Sequence, residues 1–164
     1  MSRLTICRYP DTALKTPAEP VTDFGPALKT LADDLYETMK AAPGVGITAP
    51  HCGISKRLTV IDLPDLGGRR DYVNPELLWA SEETITHTEG SVSMPGMTEE
   101  VTRPKAVRLR YRMIDGTMVE EDLEDFPAIC IQHEIDQLDG IFWIQRLSRL
   151  KRERLLKKWE KLTR

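Results

Sequence analysis

The chain has 164 residues, of which 40% are hydrophobic and 30% are charged, and its formal net charge is −3. This length suits one hydrophobic core, so we expect residues 1–164 to form a single domain, and no apolar run approaches the roughly 18 residues that span a bilayer. The three cysteines have no paired metal-binding spacing and the N-terminus has no secretory pattern. We therefore expect a cytoplasmic protein with reduced thiols and no membrane partner.

Three helices are predicted from apolar side chains at helical spacing. The first covers residues 23–39, with Asp23 as a suitable N-cap and a Pro-Gly pair after its end. The second covers residues 126–138, and the third covers residues 147–162.

The region between the first two helices predicts strands rich in β-branched or alternating apolar residues. These strands cover residues 58–63, 72–79, 84–88, 107–113 and 118–123, while residues 44–53 and 65–70 read as a loop and a turn. Asp115-Gly116 is typical of a hairpin turn. This order predicts an α+β fold, with antiparallel sheets around a central helix, an N-terminal helix and a C-terminal amphipathic helix.

The central helix carries an incomplete metal-binding motif. Residues 132–137 read Gln-His-Glu-Ile-Asp-Gln, one residue away from His-Glu-x-x-His. In that motif two histidines one helical turn apart hold a divalent metal, and the glutamate acts as base on the metal-bound water. Here His133 and Glu134 are present, and Gln137 stands where the second imidazole would be.

Three segments, in chain order, resemble the motifs of the peptide deformylase family. Residues 44–51, Gly-Val-Gly-Ile-Thr-Ala-Pro-His, resemble G-x-G-x-A-A-x-Q. Residues 89–93, Glu-Gly-Ser-Val-Ser, resemble E-G-C-L-S, and residues 132–140 resemble Q-H-E-x-D-H-L-x-G. The similarity covers nearly the whole chain, and the chain is identified as a member of this family.

The resemblance implies a hydrolase of protein biosynthesis that removes the N-formyl group from the N-terminal methionine of nascent proteins. In the family a cysteine and two histidines hold a divalent metal, usually Fe(II), a glutamate works on the metal water, and a glutamine helps to hold the oxyanion. By position, the resemblance assigns the metal shell to Ser91, His133 and Gln137, catalysis to Glu134 and His51, and substrate contact to Val45, Gly46 and Val92.

Three of these positions depart from the family residue: Ser91, Gln137 and His51. A hydroxyl that is neutral at pH 7 and a carboxamide are weaker metal donors than a thiolate and an imidazole, and each ligand of a structural zinc site is worth ~3–4 kcal/mol. We therefore expect a degenerate site with no cofactor at full occupancy. If any metal binds, it would be a divalent ion such as Fe, Zn or Ni. Deformylation is expected to be weak or lost.

Two alternatives stay open. One is a functional metallohydrolase with an altered ligand set that includes His51; a Ser91–histidine nucleophile pair is disfavoured, because the sequence shows neither a nucleophile elbow nor a third orienting group. The other is a non-catalytic protein that binds nascent formyl-methionyl peptides or the ribosome, or that reuses the fold as an interaction module.

The C-terminal segment is strongly basic. Residues 146–164 contain nine Lys and Arg against two Glu. The resemblance implies that the last helix associates with the ribosome, and a basic face suits ribosomal RNA or protein. A solvated charged face is the alternative. Trp159 is the one aromatic residue in this segment, so sequence-specific reading of nucleic acid is not expected.

Overall fold

The structure is a computed structural model that describes residues 2–164, and it confirms the predicted α+β class. It contains three α-helices and seven strands. Their bounds are α1 Pro26–Ala41, β1 Gly46–Thr48, β2 Leu58–Leu63, β3 Gly68–Ala80, β4 Thr84–Gly90, β5 Thr98–Pro104, β6 Ala106–Arg112, β7 Met118–Glu124, α2 Asp125–Leu138 and α3 Arg149–Leu162.

The strands form two antiparallel sheets. Five strands follow the order β1-β2-β3-β6-β7, and β4 pairs with β5 in a separate two-stranded sheet. Helix α2 contacts β1, β2, β6 and β7 of the first sheet and β5 of the second. Because α2 lies against both sheets, most of its side chains are buried, and its His-Glu pair lines a cavity together with residues of β1 and β4.

Two helices begin later than predicted. Asp23 is not the N-cap of α1, since its carboxylate accepts the N–H of Gly25 at 2.9 Å in a turn, and Gly25 itself precedes Pro26 as the N-cap. Helix α3 begins at Arg149 rather than at residue 147. Its N-cap is Ser148, whose hydroxyl accepts the N–H of Lys151 at 3.3 Å. In both cases a short polar side chain before the helix accepts a backbone N–H, that of Gly25 just before α1 and that of Lys151 in the first turn of α3.

Two strands were not predicted, and a third is longer than predicted. Strand β1 lies inside the predicted loop 44–53, and β5 was not predicted, because its sequence Thr-Glu-Glu-Val-Thr-Arg-Pro is mostly polar. Only Val101 and Arg103 of β5 are buried, which gives the period of two expected of a half-buried strand. Strand β3 begins at Gly68, so the predicted turn 65–70 is wrong in its second half.

The C-terminal helix is anchored on one side only. Leu155 and Trp159 are buried in a cluster with Phe142 and Trp143, and the indole N–H of Trp159 donates to the carbonyl of Tyr9 at 3.2 Å. The opposite side of α3 therefore stays in solvent with its basic residues. Among residues 2–164, no helix combines the length and the apolar character needed to cross a membrane.

Candidate active site

Most of the predicted site residues surround one cavity of about 510 Å³. It is bounded by the segment that leads into β1, the loop after β4 and helix α2. Seven of the eight predicted site residues line it, namely Val45, Gly46, His51, Ser91, Val92, His133 and Glu134. The eighth, Gln137, is not among the lining residues.

His133 is held in place by a buried carboxylate. Its Nδ1 lies 2.8 Å from Oε1 of Glu89, and Arg103 binds both oxygens of Glu89 at 2.6 and 2.9 Å. Glu89 and Arg103 therefore form a buried ion pair. Because Glu89 accepts through its carboxylate, Nδ1 of His133 is the donor, and Nε2 is left to face the cavity, 3.7 Å from Oε1 of Glu134.

The charges around His133 shift the pKa of each partner. Burial raises the pKa of Glu89, but its hydrogen bonds to His133 and Arg103 outweigh this and lower the pKa to about 2. Burial lowers the pKa of His133, yet the hydrogen bond to Glu89 and the charge of Glu134 outweigh burial, so that pKa is raised. The imidazole therefore stays fixed against an ionised carboxylate at neutral pH.

Glu134 is the most isolated carboxyl group of the cavity. Burial raises its pKa to about 7, partly opposed by the charge of His133, and its Oε2 has no protein hydrogen-bond partner. The side chain packs against the backbone of β1. A Cβ on Gly46 would lie 3.3 Å from Oε1 of Glu134, so glycine at this position makes room for the carboxyl group.

His51 is almost completely buried on the short 3-10 turn Ala49–Cys52 that follows β1. Its Nδ1 accepts the backbone N–H of Thr48 at 2.9 Å and lies 3.0 Å from the hydroxyl of Thr48. Its Nε2 lacks a protein partner. Burial and the nearby His133 lower the pKa of His51 to about 3, so the ring is neutral at pH 7.

Gln137 is directed away from the cavity and into the fold. Its Nε2 donates to the backbone carbonyl of Leu14 at 2.9 Å, and the residue is only 2% exposed. Leu14 belongs to the 3-10 turn Thr12–Lys15 near the N-terminus. The amide therefore connects α2 to that turn. The sequence alone could not predict that the carbonyl of Leu14 would be its partner.

The side chains present do not fit a three-ligand metal centre. Ser91 contributes a neutral hydroxyl that accepts the N–H of Ser93 at 3.1 Å, and the amide of Gln137 is engaged elsewhere. His51 has its Nδ1 lone pair occupied, so in the neutral ring the proton is on Nε2 and no lone pair faces the cavity. His133 alone presents a nitrogen suited to a metal. Within residues 2–164 no cluster of three or more His, Cys, Asp and Glu is arranged to hold an ion.

Several residues of the cavity were missed by the sequence reading. Phe126, Ile129 and Cys130 form an apolar part of the wall on α2. The available signal was helical spacing, because residues three and four before His133 share its side of the helix. Thr48, which is buried against His51 and does not line the cavity itself, was also missed, although the motif quoted for residues 44–51 has alanine at that position.

The fold and the site together define a class of protein. Its members have a two-sheet α+β fold, and a helix of the metallohydrolase type places a His-Glu pair at the base of a cleft. The sequence profile of a family described as polypeptide deformylase matches residues 3–153. The chain therefore belongs to the polypeptide deformylase family.

Individual relatives agree with this assignment. A protein of Bradyrhizobium diazoefficiens, described as peptide deformylase-like, is 60% identical over 97% of this chain and 94% of its own length. A peptide deformylase-like protein of Brucella melitensis is 59% identical over 97% of both chains. The crystal structure of a peptide deformylase from Legionella pneumophila superposes with a TM-score of 0.92 at 36% identity, covering 99% of this chain and 96% of that one.

Proposed function

We propose that this chain is a deformylase-family protein with a degenerate metal site, which binds formylated N-terminal peptides and removes the formyl group weakly or not at all. The hydrogen bond from the amide of Gln137 to the carbonyl of Leu14 carries the proposal. This hydrogen bond supports the view that the side chain at the second histidine position of the motif stabilises the fold and does not bind a metal. The two relatives described as deformylase-like, rather than as deformylases, are consistent with this.

The energetic consequence of the changed ligands is large. Two weakened ligands at ~3–4 kcal/mol each remove roughly half of the binding free energy of a structural site. Each 1.4 kcal/mol is about a tenfold change in affinity. Without a bound metal, Glu134 has no water of lowered pKa to deprotonate, because metal coordination brings the pKa of water from 15.7 to about 7. Weak metal binding therefore implies weak deformylation.

Peptide binding has separate support. The cavity keeps an open volume of about 510 Å³ with an apolar wall, and β1 is an edge strand of the five-stranded sheet. An edge strand offers main-chain groups to an extended peptide, a mode that depends little on side chains. Val45, at 46% exposed, and Val92 lie where an approaching peptide would meet them.

An altered but functional metallohydrolase is the competing proposal. It needs a replacement ligand, for which His51 is the candidate by location. The hydrogen bond that His51 accepts at Nδ1 argues against this role, since it places the proton on the nitrogen that would have to coordinate.

The exposed basic side of α3 supports a location at the ribosome, in the cytoplasm, where formylated chains emerge. Arg154, Lys157, Lys158 and Lys161 all lie in solvent on this helix, whereas Leu155 and Trp159 are buried against the rest of the protein. Such a surface binds phosphate-rich partners through charge and not through base reading.

Formate release from formyl-Met-Ala-Ser tests the catalytic part. After addition of equimolar Fe(II), Ni(II) or Zn(II), we expect the wild-type chain to be about 100-fold or more slower than a Ser91→Cys/Gln137→His double variant. Adding Glu134→Ala to the double variant should abolish its gain and serves as the control for a contaminating enzyme. Wild-type turnover equal to that of the double variant, lost on Glu134→Ala alone, would favour the metallohydrolase. If neither protein turns over, the site has changed beyond these two ligands.

A further inference from the structure

The second half of β3 has an open edge. Strand β2 pairs with β3 only as far as Val73, whereas β6 pairs along the other side of β3 up to Ala80. Within residues 2–164 no strand continues the place of β2 beside residues 75–80. Pro75, which has no N–H to donate to a neighbouring strand, stands close to the point where β2 ends. The backbone of residues 75–80 is therefore accessible to another strand on one side.

The same stretch exposes apolar side chains one after another. Leu77 is 38% exposed, Leu78 is 41% exposed and Trp79 is 55% exposed, and Ala80 is exposed as well. A half-buried strand normally alternates between apolar and polar residues, so a run of exposed apolar residues is unusual. On an open strand edge such a run is typical of a surface that associates with another strand.

The charged residues next to this run are already paired within the chain. On the neighbouring strand Arg110 binds Glu76, and Arg108, which lies opposite Trp79 in the register, binds Asp122. The apolar run therefore has no uncompensated charge at its border. Two copies of the run can approach each other without electrostatic repulsion, and each would withdraw the apolar side chains of the other from water.

The run is also complementary to itself in an antiparallel arrangement. With a two-fold axis at Leu78, Trp79 of one copy lies opposite Leu77 of the other, and Glu76 lies opposite Ala80. Pairs of aromatic and aliphatic side chains across two strands are favourable, and in this register no two like charges face each other. A two-fold interface of this kind uses the same surface on both copies and closes at a dimer.

The two ends of the open edge carry opposite charges. At one end the carbonyl of Arg57 accepts the N–H of Asn74 at 2.8 Å, and the exposed Lys56 precedes it. At the other end β3 stops at Ala80, and the exposed Glu82 follows two residues later. Opposite ends meet in an antiparallel pair, so Glu82 of one copy comes near Lys56 of the other, and the symmetry makes this contact twice. The charges at the ends thus favour a second copy as the partner.

The outer edge strand of the same sheet does not have these properties. Strand β7 reads Met-Val-Glu-Glu-Asp-Leu-Glu, with alternate residues exposed. If β7 paired with a second β7 about an axis at Glu121, Glu120 would face Asp122. Like charges directly opposite each other destabilise a strand pair, and charged edge strands are a common protection against association. Self-association through this sheet is therefore favoured at β3 and disfavoured at β7.

We propose that residues 75–80 form an interface between two copies of this chain, in which the open edges of the two β3 strands pair antiparallel about a two-fold axis at Leu78. The five-stranded sheets of the two copies are then joined through β3. None of these residues lines the cavity of about 510 Å³, so both cavities of the dimer stay open. The interface does not depend on the proposed peptide binding or on any metal.

Sedimentation velocity of the full-length protein tests the dimer, over concentrations from about 1 μM to about 1 mM. We expect the mass to rise from that of one chain, 18.7 kDa, towards twice that value. Leu78→Lys should weaken the dimer by about tenfold or more, because two like charges would meet at the axis. Leu150→Lys, the same exchange at a leucine of α3 that is 64% exposed, should leave the dissociation constant unchanged.

The position of the axis is tested by cross-linking. Residues directly opposite each other in an antiparallel pair have Cβ atoms about 4.5–5.5 Å apart, which a small shift brings within reach of a disulfide. Under mild oxidation by copper phenanthroline, Leu78→Cys should therefore give a covalent dimer on a non-reducing gel. Leu150→Cys is the matched control, and the three native cysteines are present in both variants.

A dimer that is weakened by Leu78→Lys, kept in Leu150→Lys and cross-linked through Leu78→Cys supports the proposal. A protein that stays monomeric over the whole concentration range overturns it, as does a dimer that Leu78→Lys leaves intact. Equal cross-linking of Leu78→Cys and Leu150→Cys would indicate random collision and would also overturn it. Circular dichroism shows whether Leu78→Lys is folded, and if it is not, the cross-linking of Leu78→Cys decides.

Discussion

At the scale of single residues, Gln137 contributes to the fold and not to the lining of the cavity. Its amide is buried and donates to Leu14, 123 positions away in the chain. A carbonyl that loses such a partner in the interior has no water to replace it. The residue thus has a structural role that does not depend on any ion.

We predict that Gln137→Leu destabilises the protein by ~1–3 kcal/mol, because the carbonyl of Leu14 would be left buried and unpaired. Urea denaturation followed by circular dichroism measures the change. Gln145→Leu, the same exchange at an exposed glutamine, should stay within about 0.5 kcal/mol of the wild type. Equal effects of the two exchanges would mean that the bond to Leu14 contributes nothing to stability.

The location of the site residues could be predicted from the sequence, but the orientation of their side chains could not. The three motif frames placed seven of the eight chosen residues at the cavity. Helical spacing also predicted Gln137 there, four positions after His133, yet its amide is directed into the fold. The direction of the Gln137 amide depends on a carbonyl near the N-terminus. The tautomer of His51 depends on a backbone N–H whose orientation is set by the turn around it.

At the scale of elements, one buried arginine joins the two strands of the smaller sheet to the central helix. Arg103 on β5 binds Glu89 on β4 and Asp136 on α2, and Asp136 also binds Arg146 beyond the helix. Since Glu89 in turn holds His133, the network fixes the ring that faces the cavity. The charges are largely withdrawn from water, so removing one of them leaves its partners unpaired.

Replacement of this arginine should be costly. We predict that Arg103→Met destabilises the protein by ~3–5 kcal/mol, the range found when one member of a buried ion pair is removed. Thermal unfolding monitored by calorimetry provides the measurement. Arg108→Met removes an arginine from an exposed pair with Asp122 on the neighbouring strands and should change the stability little. A small loss of stability in Arg103→Met, similar to that of Arg108→Met, would show that the network is not a main support of the cavity.

The elements themselves were predictable where they bury a regular stripe of apolar residues. All three helices and five of the seven strands follow from helical spacing or strand-like sequence patterns, with ends that shifted by a few residues where a turn or cap intervened. Strands β1 and β5 were not predictable, since β1 spans three residues at a sheet edge and β5 buries an arginine in place of an apolar residue. Their formation depends on partners elsewhere in the chain.

At the scale of the whole molecule, charge is separated between the body and the C-terminal helix. The chain has a net charge of −3, yet residues 146–164 carry nine basic against two acidic side chains. Helix α3 is held by Leu155 and Trp159, so its basic side is presented at a fixed orientation. An acidic body disfavours contact with RNA everywhere except along this helix.

We predict that the protein co-sediments with bacterial ribosomes at low salt and is released as salt increases, because phosphate contacts release counterions. A Lys157→Glu/Lys158→Glu/Lys161→Glu variant should lose this binding. Lys15→Glu/Lys29→Glu/Lys56→Glu makes the same charge change at exposed lysines outside α3 and should keep more of the binding. Equal loss in both variants would indicate that net charge, and not the helix, determines association.

The proposed function depends on whether the chain retains a metal. The direct measurement is the metal content of the protein, isolated without oxygen from cells supplied with iron, nickel and zinc, by inductively coupled plasma mass spectrometry. We predict about 0.1 ion per chain or less, and an increase in the Ser91→Cys/Gln137→His variant. One firmly held ion per wild-type chain, retained through dialysis, would contradict a degenerate metal site.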